Sequence, residues 1–161
     1  MRIIVFSDTH GNYAAAQKIF KRNGNADLFI FLGDGMAEFN RLKAHYIDYK
    51  TISVKGNCDF MPGMAEHAVY DIPGPGDRKI FLTHGDRWGV RVSPTMLHNK
   101  AREEGCCIAL FGHTHIRHAE WRNGILLLNP GSAGQPRDGK PACYAWIDVT
   151  PMGIVYNHVD L

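Results

Sequence analysis

The chain has 161 residues, of which 45% are hydrophobic and 21% charged, as in an ordinary soluble globular domain. Its net charge of +2 is spread along the sequence, so nothing indicates a specific nucleic-acid partner or a membrane. No apolar run approaches the ~20 residues that cross a bilayer, and residues 3–6 are too few for a signal peptide. The four cysteines form no C-x-x-C pair or disulfide framework, so we expect reduced thiols and a cytoplasmic location.

The first half of the chain alternates apolar runs with helical segments. The apolar runs, typical of strands buried on both faces, are residues 2–6, 28–32 and 51–54. The helical segments are residues 13–22, which close at Asn23-Gly24, and residues 36–46. Short connections between these elements favour parallel pairing through right-handed crossovers, so this half predicts an α/β layer.

The second half is richer in hairpins. It predicts strands at residues 67–72 and 79–83 and a helix at residues 94–104, with Pro94 in its first turn and Ser93 as its cap. Further strands are predicted at residues 107–111, 116–121, 125–128, 142–149 and 154–159, with a loop at residues 129–137. We therefore expect one domain over residues 1–161, of α/β class, with two β-sheets packed face to face and helices outside.

Five of the predicted strands end in carboxylate, amide or imidazole side chains. These candidate ligands are Asp8, His10, Asp34, Asn57, His84, His113 and His115. In extended backbone, His113 and His115 would project to the same side. Ligands of such sheets collect beyond the carboxyl ends of the strands, and one catalytic metal takes about three protein ligands. Seven donors therefore suit two divalent ions, which together can clamp a phosphate.

Each of these residues also has a structural interpretation. A single Asp after a strand often caps the next helix, as Asp8 alone could. A single histidine is more often a hydrogen-bonded polar group of the core than a ligand, and we apply that interpretation to His45, His67, His98 and His158. The ligand hypothesis therefore depends on the complete set of motifs, each of which follows an apolar run.

The ordered motifs resemble those of the calcineurin-like metallophosphoesterases. The family pattern occurs here as Asp8-Thr9-His10, Gly33-Asp34, Gly56-Asn57-Cys58-Asp59, His84 and Gly112-His113-Thr114-His115. The resemblance covers residues 1 to 137 approximately. The short chain and its Asn129-Pro130-Gly131-Ser132 loop are most similar to the small bacterial and archaeal phosphodiesterase branch. The family's fold, a four-layer α/β/β/α sandwich, agrees with the elements predicted above.

The resemblance implies hydrolysis of phosphodiester bonds at a dinuclear metal centre. One metal would be held by Asp8, His10, Asp34 and His115, and the other by Asp34, Asn57, His84 and His113, with Asp34 bridging. A metal-bridging hydroxide would attack phosphorus, and Asn57 would also contact a phosphate oxygen. Imidazole mixed with oxygen donors suits Mn²⁺, Zn²⁺, Fe or Ni²⁺, and the resemblance favours Mn²⁺.

Cys58 departs from the many family members that have histidine at this position, placed to protonate the leaving group or steady the transition state. A thiol of pKa ~8.5 is a poorer proton donor than an imidazolium, so Cys58 favours esters with good leaving groups, or it only fills space. Asp59 either orients a ligand or forms a turn. Arg137 either pairs with a substrate phosphate or is solvated.

The preferred interpretation is an enzyme acting on a small phosphodiester substrate. The alternatives are a non-catalytic protein-binding scaffold on the same fold and a phosphomonoesterase or nucleotidase. All seven ligand positions hold competent side chains, which favours the enzyme, whereas Cys58 disfavours the monoesterase. Segments 60–64 and 86–92, with Phe60, Met61 and Trp88, either shape substrate entry or form a subunit contact in a homo-oligomer.

Overall fold

A computed structural model describes residues 1–60 and 62–161, so Met61 lies outside the described residues. The described strands are β1 (Arg2–Phe6), β2 (Leu28–Phe31), β3 (Thr51–Ser53), β4 (His67–Asp71), β5 (Lys79–Thr83), β6 (Ile108–Leu110), β7 (Arg117–Arg122), β8 (Ile125–Pro130), β9 (Cys143–Thr150) and β10 (Gly153–Asp160). The described helices are α1 (Tyr13–Arg22), α2 (Met36–His45) and α3 (Thr95–Glu103), with a short 3₁₀ turn at Asp86–Trp88. The predicted boundaries agree with these within one or two residues.

The described strands form two mixed sheets of five strands each. The first has the order β10-β9-β1-β2-β3, in which β1, β2 and β3 are parallel and β9 is antiparallel to both of its neighbours. The second has the order β4-β5-β6-β8-β7, in which β5, β6 and β8 are parallel and both edge strands are antiparallel. Each sheet therefore has a parallel centre, whose strands all end at the same edge.

The two faces of the first sheet are buried against different layers. Ile3 and Val5 belong to the apolar core between the two sheets, whereas Ile4 and Phe6 point the other way, towards α1 and α2. On the far side, Leu97 of α3 packs on the outer face of the second sheet. The layers thus run helix, sheet, sheet, helix, which confirms the predicted α/β sandwich.

Two local predictions need correction. The helix α3 begins at Thr95, so Pro94 takes the cap position instead of the first turn and its side chain makes no capping hydrogen bond. The hydroxyl of Ser93, one residue before the cap position, accepts a 3.2 Å hydrogen bond from the N–H of Thr95, the first residue of the helix. Asn129 and Pro130 pair with β7 as the last residues of β8, so the loop predicted from residue 129 starts two residues later.

The four histidines interpreted as non-ligands have other contacts. A ring nitrogen of the buried His98 lies 3.3 Å from a backbone carbonyl oxygen, and one of the half-buried His158 lies 2.7 Å from another. His45 and His67 are exposed, so for these two the core interpretation is wrong. Within residues 1–60 and 62–161 the cysteines form no disulfide, and the helices are too short and polar to cross a membrane.

Candidate metal centre

The loops that follow β1, β2, β5 and β6 are joined by backbone hydrogen bonds. The N–H of Asp8 donates to the carbonyl of Gly33 at 2.9 Å, which links the first two loops. The N–H of Gly112 donates to the carbonyl of His84 at 2.8 Å, which links the other two. The N–H of His113 then donates to Oδ2 of Asp8 at 3.1 Å and connects the two sheets. Residues far apart in sequence therefore meet where the parallel strands end.

One group of donors forms around Asp8. Nε2 of His115 lies 3.2 Å from Oδ1 of Asp8, and Nε2 of His10 lies 3.8 Å from the same oxygen. The two ring nitrogens are 3.1 Å apart. Asp8 is fully buried and His115 nearly so, whereas His10 is half-buried at the mouth of the group.

A second group forms around Asp34 and His84. Nε2 of His84 lies 3.4 Å from Oδ2 of Asp34, 3.1 Å from Oδ1 of Asn57 and 3.3 Å from Nδ1 of His113. His84 and Asp34 are buried, whereas Asn57 is exposed and His113 half-buried. Oδ2 of Asp34 also lies 3.7 Å from Nε2 of His10, so this carboxylate joins the two groups.

Backbone carbonyls set the tautomers of two imidazoles. Nδ1 of His84 donates to the carbonyl of Leu32 at 2.7 Å, and Nδ1 of His115 donates to the carbonyl of Gln135 at 2.7 Å. In a neutral ring the proton on Nδ1 leaves Nε2 with a free lone pair. When these rings are neutral, as metal binding requires, both Nε2 atoms therefore present lone pairs to the same small space, which is the orientation of metal-binding histidines.

The charges of the site are strongly coupled. Burial alone would raise the pKa of Asp34, but its hydrogen bond and attraction to His84 hold that pKa far below its usual range. Burial would lower the pKa of His84, but its hydrogen bond to Asp34 and the charges of Asp8 and Asp34 raise it. For His113, burial and the positive charges of His84 and Arg91 lower the pKa. The site thus favours an ionised Asp34 and an additional positive charge beside it.

The backbone that presents these donors is strained. Five of the seven candidate ligands have φ between 43° and 68°: Asp8, His10, Asp34, His113 and His115. This left-handed conformation costs an L-residue roughly 1–2 kcal/mol, although Asp and His tolerate it better than most. Gly33 and Gly56 let two of the loops touch, because a Cβ on Gly33 would strike the backbone of Gly56. Strain of this kind persists where a site requires it.

The donor set fits divalent cations. Ligand atoms of three groups lie within 4.8 Å of one another: Asp8, His10 and His115; Asp8, Asp34 and His84; and His10, Asp34 and Cys58. Oδ1 of Asp8 is buried and accepts no hydrogen bond from the described residues, and Nε2 of His115, 3.2 Å away, presents a lone pair to it when the ring is neutral. A buried, unpaired carboxylate oxygen facing imidazole lone pairs is complementary to a metal ion.

Asp59 has both of the roles considered for it, since it orients the loop of a candidate ligand and also forms a turn. Its carboxylate accepts hydrogen bonds from the backbone N–H groups of Asp34 at 2.7 Å, Gly35 at 3.0 Å, Met36 at 2.9 Å and Gly56 at 2.8 Å. It therefore closes its own turn and fixes the loop of Asp34.

Two further supporting residues, Asn129 and Ser132, were not predicted. Nδ2 of the buried Asn129 donates to the carbonyl of Gly112 at 2.7 Å and to the hydroxyl of Thr114 at 3.0 Å. The hydroxyl of Ser132 donates to the carbonyl of Asp8 at 2.8 Å. These two side chains hold the loops that carry the first group of ligands. Their only signal in the sequence is the Asn-Pro-Gly-Ser run, which points to no partner.

Cys58 and Arg137 lie at the exposed side of the site. The Cys58 N–H donates to Oδ1 of Asp34 at 2.7 Å, and its thiol accepts a 3.3 Å hydrogen bond from the amide of Asn57. Partial desolvation, and then the Asp34 carboxylate, raise the pKa of the Cys58 thiol to about 11. The Arg137 side chain is exposed, while its N–H donates to the carbonyl of His115 at 3.0 Å.

A cleft next to Asn57 contains both aromatic residues singled out in the sequence. It has a volume of about 520 Å³, and Phe60 and Trp88 contribute to its lining. Phe60 is 90% exposed, whereas Trp88 is half-buried and packs edge-on against Phe81. The cleft is therefore open beside the candidate ligands.

Comparison with known proteins places the chain among metallophosphoesterases. YsnB of Bacillus subtilis (strain 168), named a probable metallophosphoesterase, is 34% identical over 148 residues, covering 90% of this chain and 82% of YsnB. The phosphodiesterase YfcE of Escherichia coli (strain K12) is 29% identical over 178 aligned positions, covering 96% of this chain and 91% of YfcE. The solved structure of YfcE matches with a TM-score of 0.69 over 92% of this chain and 88% of that one.

A more distant structure shares the fold. Vps29 of Entamoeba histolytica, solved in complex with zinc, matches with a TM-score of 0.72 at 24% identity, over 99% of each chain. The sequence profile of the calcineurin-like phosphoesterase superfamily domain matches residues 1–152. The chain therefore belongs to the calcineurin-like phosphoesterase superfamily, alongside small bacterial and archaeal metallophosphoesterases.

Proposed function

We propose that this protein is a metal-dependent phosphodiesterase with a dinuclear centre. The observation that carries the proposal is the position of Asp34, whose Oδ2 faces both His10, at 3.7 Å, and His84, at 3.4 Å. The remaining donors fall on either side of this oxygen, as two cations sharing one carboxylate require.

The residues divide between two candidate metal positions. The first is Asp8, His10, Asp34 and His115, and the second is Asp34, Asn57, His84 and His113. Imidazole combined with carboxylate and amide oxygen suits Mn²⁺, our first choice, and also Zn²⁺, Fe or Ni²⁺. Two divalent cations held there would offset the charge of a phosphate and lower the pKa of water beside phosphorus.

The chain's own side chains would bind and orient the substrate. The exposed amide of Asn57 faces the open cleft, where it can donate to a phosphate oxygen. Arg137 lies beside the loop of His115 and supplies a positive charge to a second cleft there. Water is the nucleophile in this scheme, so no serine or cysteine nucleophile is needed.

Specificity for diesters is the finer part of the proposal. The relative YfcE is named a phosphodiesterase, and so is MJ0936 of Methanocaldococcus jannaschii. Cys58 points the same way, because hydrolysis of an alkyl monoester expels a poor leaving group that an imidazolium would protonate better than a thiol. A phosphomonoesterase or nucleotidase is the alternative within the enzyme class.

A non-catalytic scaffold is the alternative outside that class. Vps29, whose name does not describe a phosphoesterase, has the same fold and was solved in complex with zinc. Metal binding alone therefore does not separate the two functions. The five strained donors favour the enzyme, since a protein-docking surface has no need of left-handed backbone converging on one point.

Hydrolysis of bis(p-nitrophenyl) phosphate by the purified protein, with Mn²⁺ and after chelation, tests the proposal. We expect turnover with Mn²⁺, loss of turnover with the chelator and recovery on adding the metal back. Activity that survives chelation, or no turnover with any of the four metals, would contradict it. A panel of cyclic nucleotides, phosphodiester lipids and nucleoside monophosphates then separates diesterase from monoesterase. A cytoplasmic location and a homo-oligomer stay predictions.

A further inference from the structure

Two clefts flank the candidate metal centre, and they differ in charge. The cleft of about 520 Å³ beside Asn57, which we call the aromatic cleft, is lined by the cations Lys55 and Arg87 and by three carboxylates. A second cleft of about 440 Å³, which we call the arginine cleft, is lined by Arg91 and Arg137 and, among the described residues, by no carboxylate.

The cations of the aromatic cleft are neutralised within it. Nζ of Lys55 lies 3.2 Å from Oε1 of Glu66, and Nη2 of Arg87 lies 2.9 Å from the same oxygen. Asp59 and Asp86 add further negative charge to the lining. This cleft therefore disfavours an anionic group and suits an aromatic or neutral one.

The guanidinium groups of the arginine cleft have no such partners. Among residues 1–60 and 62–161, neither Arg91 nor Arg137 forms a side-chain hydrogen bond or an ion pair. Two positive charges share one small concave surface, which an anion would stabilise. Val90, Phe111 and Ile116 supply apolar walls to the same cleft.

The arginine cleft adjoins the candidate ligands. Thr114, which lies between His113 and His115 in the sequence, is part of its lining. The N–H of Arg137 donates to the carbonyl of His115 at 3.0 Å, and the charge of Arg91 contributes to the lowered pKa of His113. A substrate phosphate at the centre would therefore place one of its two ester arms at this cleft.

We infer that the arginine cleft is a subsite for a second phosphate, carried on one arm of the phosphodiester substrate. The inference rests on the proposed phosphodiesterase function and adds a substrate class to it: a diester with a phosphorylated arm, such as a phosphorylated nucleoside. The second phosphate pairs with Arg91 and Arg137, the body of the arm lies on the apolar walls, and the other arm occupies the aromatic cleft.

Two esters that differ only by this phosphate provide the test. Thymidine 5′-(p-nitrophenyl phosphate) and the same compound with a 3′-phosphate release the same leaving group. With the Mn²⁺-loaded protein we expect kcat/KM to be about tenfold higher for the 3′-phosphorylated ester, mainly through KM. In Arg91→Gln and Arg137→Gln the ratio of the two kcat/KM values falls towards one. In Arg91→Lys part of the preference for the 3′-phosphorylated ester returns. Arg102→Gln, which removes an exposed positive charge on α3 outside both clefts, keeps the preference.

The outcomes separate the subsite from a simpler role for the arginines. If they bind the phosphate that is cleaved, the variants lose activity equally on both esters, which overturns the inference. So does a native protein with no preference for the 3′-phosphate. If neither ester is hydrolysed, the phosphodiesterase proposal fails, and calorimetry decides the subsite independently. Thymidine 3′,5′-bisphosphate should then bind about tenfold more tightly than thymidine 5′-monophosphate, and only with both arginines present. Equal affinities overturn the inference.

Discussion

Oδ2 of Asp34 lies 3.4 Å from Nε2 of His84, and both side chains are buried. The same oxygen is 3.7 Å from Nε2 of His10, which belongs to the other donor group. The Asp34 carboxylate therefore belongs to both proposed metal positions, so its replacement should affect metal binding at both. Nε2 of His115, by contrast, lies beside the Asp8 group, 3.2 Å from Oδ1 of Asp8 and 3.1 Å from Nε2 of His10.

Replacement of these two residues should change metal content by different amounts. The native protein should bind about two Mn²⁺ ions per chain, His115→Ala about one and Asp34→Asn fewer than one, because only Asp34 serves both positions. Metal analysis by mass spectrometry after gel filtration measures the ratios. Asp148→Asn, which alters a carboxylate paired with Arg2 on the protein surface, is the matched control and should match the native ratio. Equal metal loss in His115→Ala and Asp34→Asn would show that Asp34 does not bridge.

Asp8 should make opposite contributions to stability with and without metal. Its Oδ1 is buried without a hydrogen-bond donor among the described residues, so the metal-free protein contains an uncompensated carboxylate oxygen. In Asp8→Asn the new amide can donate to Nε2 of His115, which removes about 1–3 kcal/mol of destabilisation. With a chelator present, we expect the variant to melt roughly 3–10 °C above the native protein.

Manganese should reverse this order. A hundredfold excess over Kd adds about 2.7 kcal/mol, so Tm of the native protein rises by roughly 5–10 °C. Asp8→Asn should show little of this shift, because the amide is a weaker ligand than the carboxylate. Differential scanning calorimetry with and without Mn²⁺ gives all four values. A variant that melts lower than the native protein in the chelator would refute the account of Oδ1.

The sequence predicted the layers of the fold because buried strands and amphipathic helices have local signatures. Ile3, Ile4, Val5 and Phe6 read as one apolar run, and both faces of β1 are indeed covered. The strand order could not be read in the same way. β8 lies between β6 and β7, and β9 returns to pair with β1, through contacts between residues distant in sequence.

The sequence predicted the candidate ligands but not the residues that support them, because only the ligands have a local pattern. Asp34 and the histidines stood out because each ends an apolar run, which is a local pattern. The roles of Asn129 and Ser132 depend on hydrogen bonds to loops 17 and 124 residues away, and no local pattern encodes such partners. Asp8 and His113, whose backbone is left-handed, are likewise joined by a hydrogen bond between residues 105 positions apart.

Asn129 should matter to metal affinity although it contacts no candidate metal position. Its amide holds the carbonyl of Gly112 at 2.7 Å, and Asn129→Asp replaces that donor with an oxygen that repels the carbonyl. Residues that orient ligands from behind typically change metal affinity or activity by about 10- to 100-fold. We expect a rise of that size in Kd for Mn²⁺, measured by calorimetry, in a variant whose circular dichroism is native.

Asn157→Asp is the control for this change. Asn157 is exposed on β10, so the same substitution there should leave the affinity for Mn²⁺ within about twofold. Native affinity in Asn129→Asp would mean that the loop of His113 and His115 is held adequately by its other contacts, such as the hydrogen bond from His113 to Asp8.

Cys58 should set the preference between kinds of ester. In Cys58→His an imidazolium can protonate a leaving alkoxide. General acid catalysis of this kind raises the reaction rate by about a hundredfold or more. Hydrolysis of adenosine 5′-monophosphate should therefore rise relative to that of bis(p-nitrophenyl) phosphate, whose leaving group needs no proton. The ratio of the two kcat/KM values is the measurement, taken at one Mn²⁺ concentration. Cys58→Ser keeps a small uncharged side chain and should leave the ratio unchanged. If Cys58→His leaves it unchanged too, the thiol only fills space beside Asp34, and the diester preference has another origin.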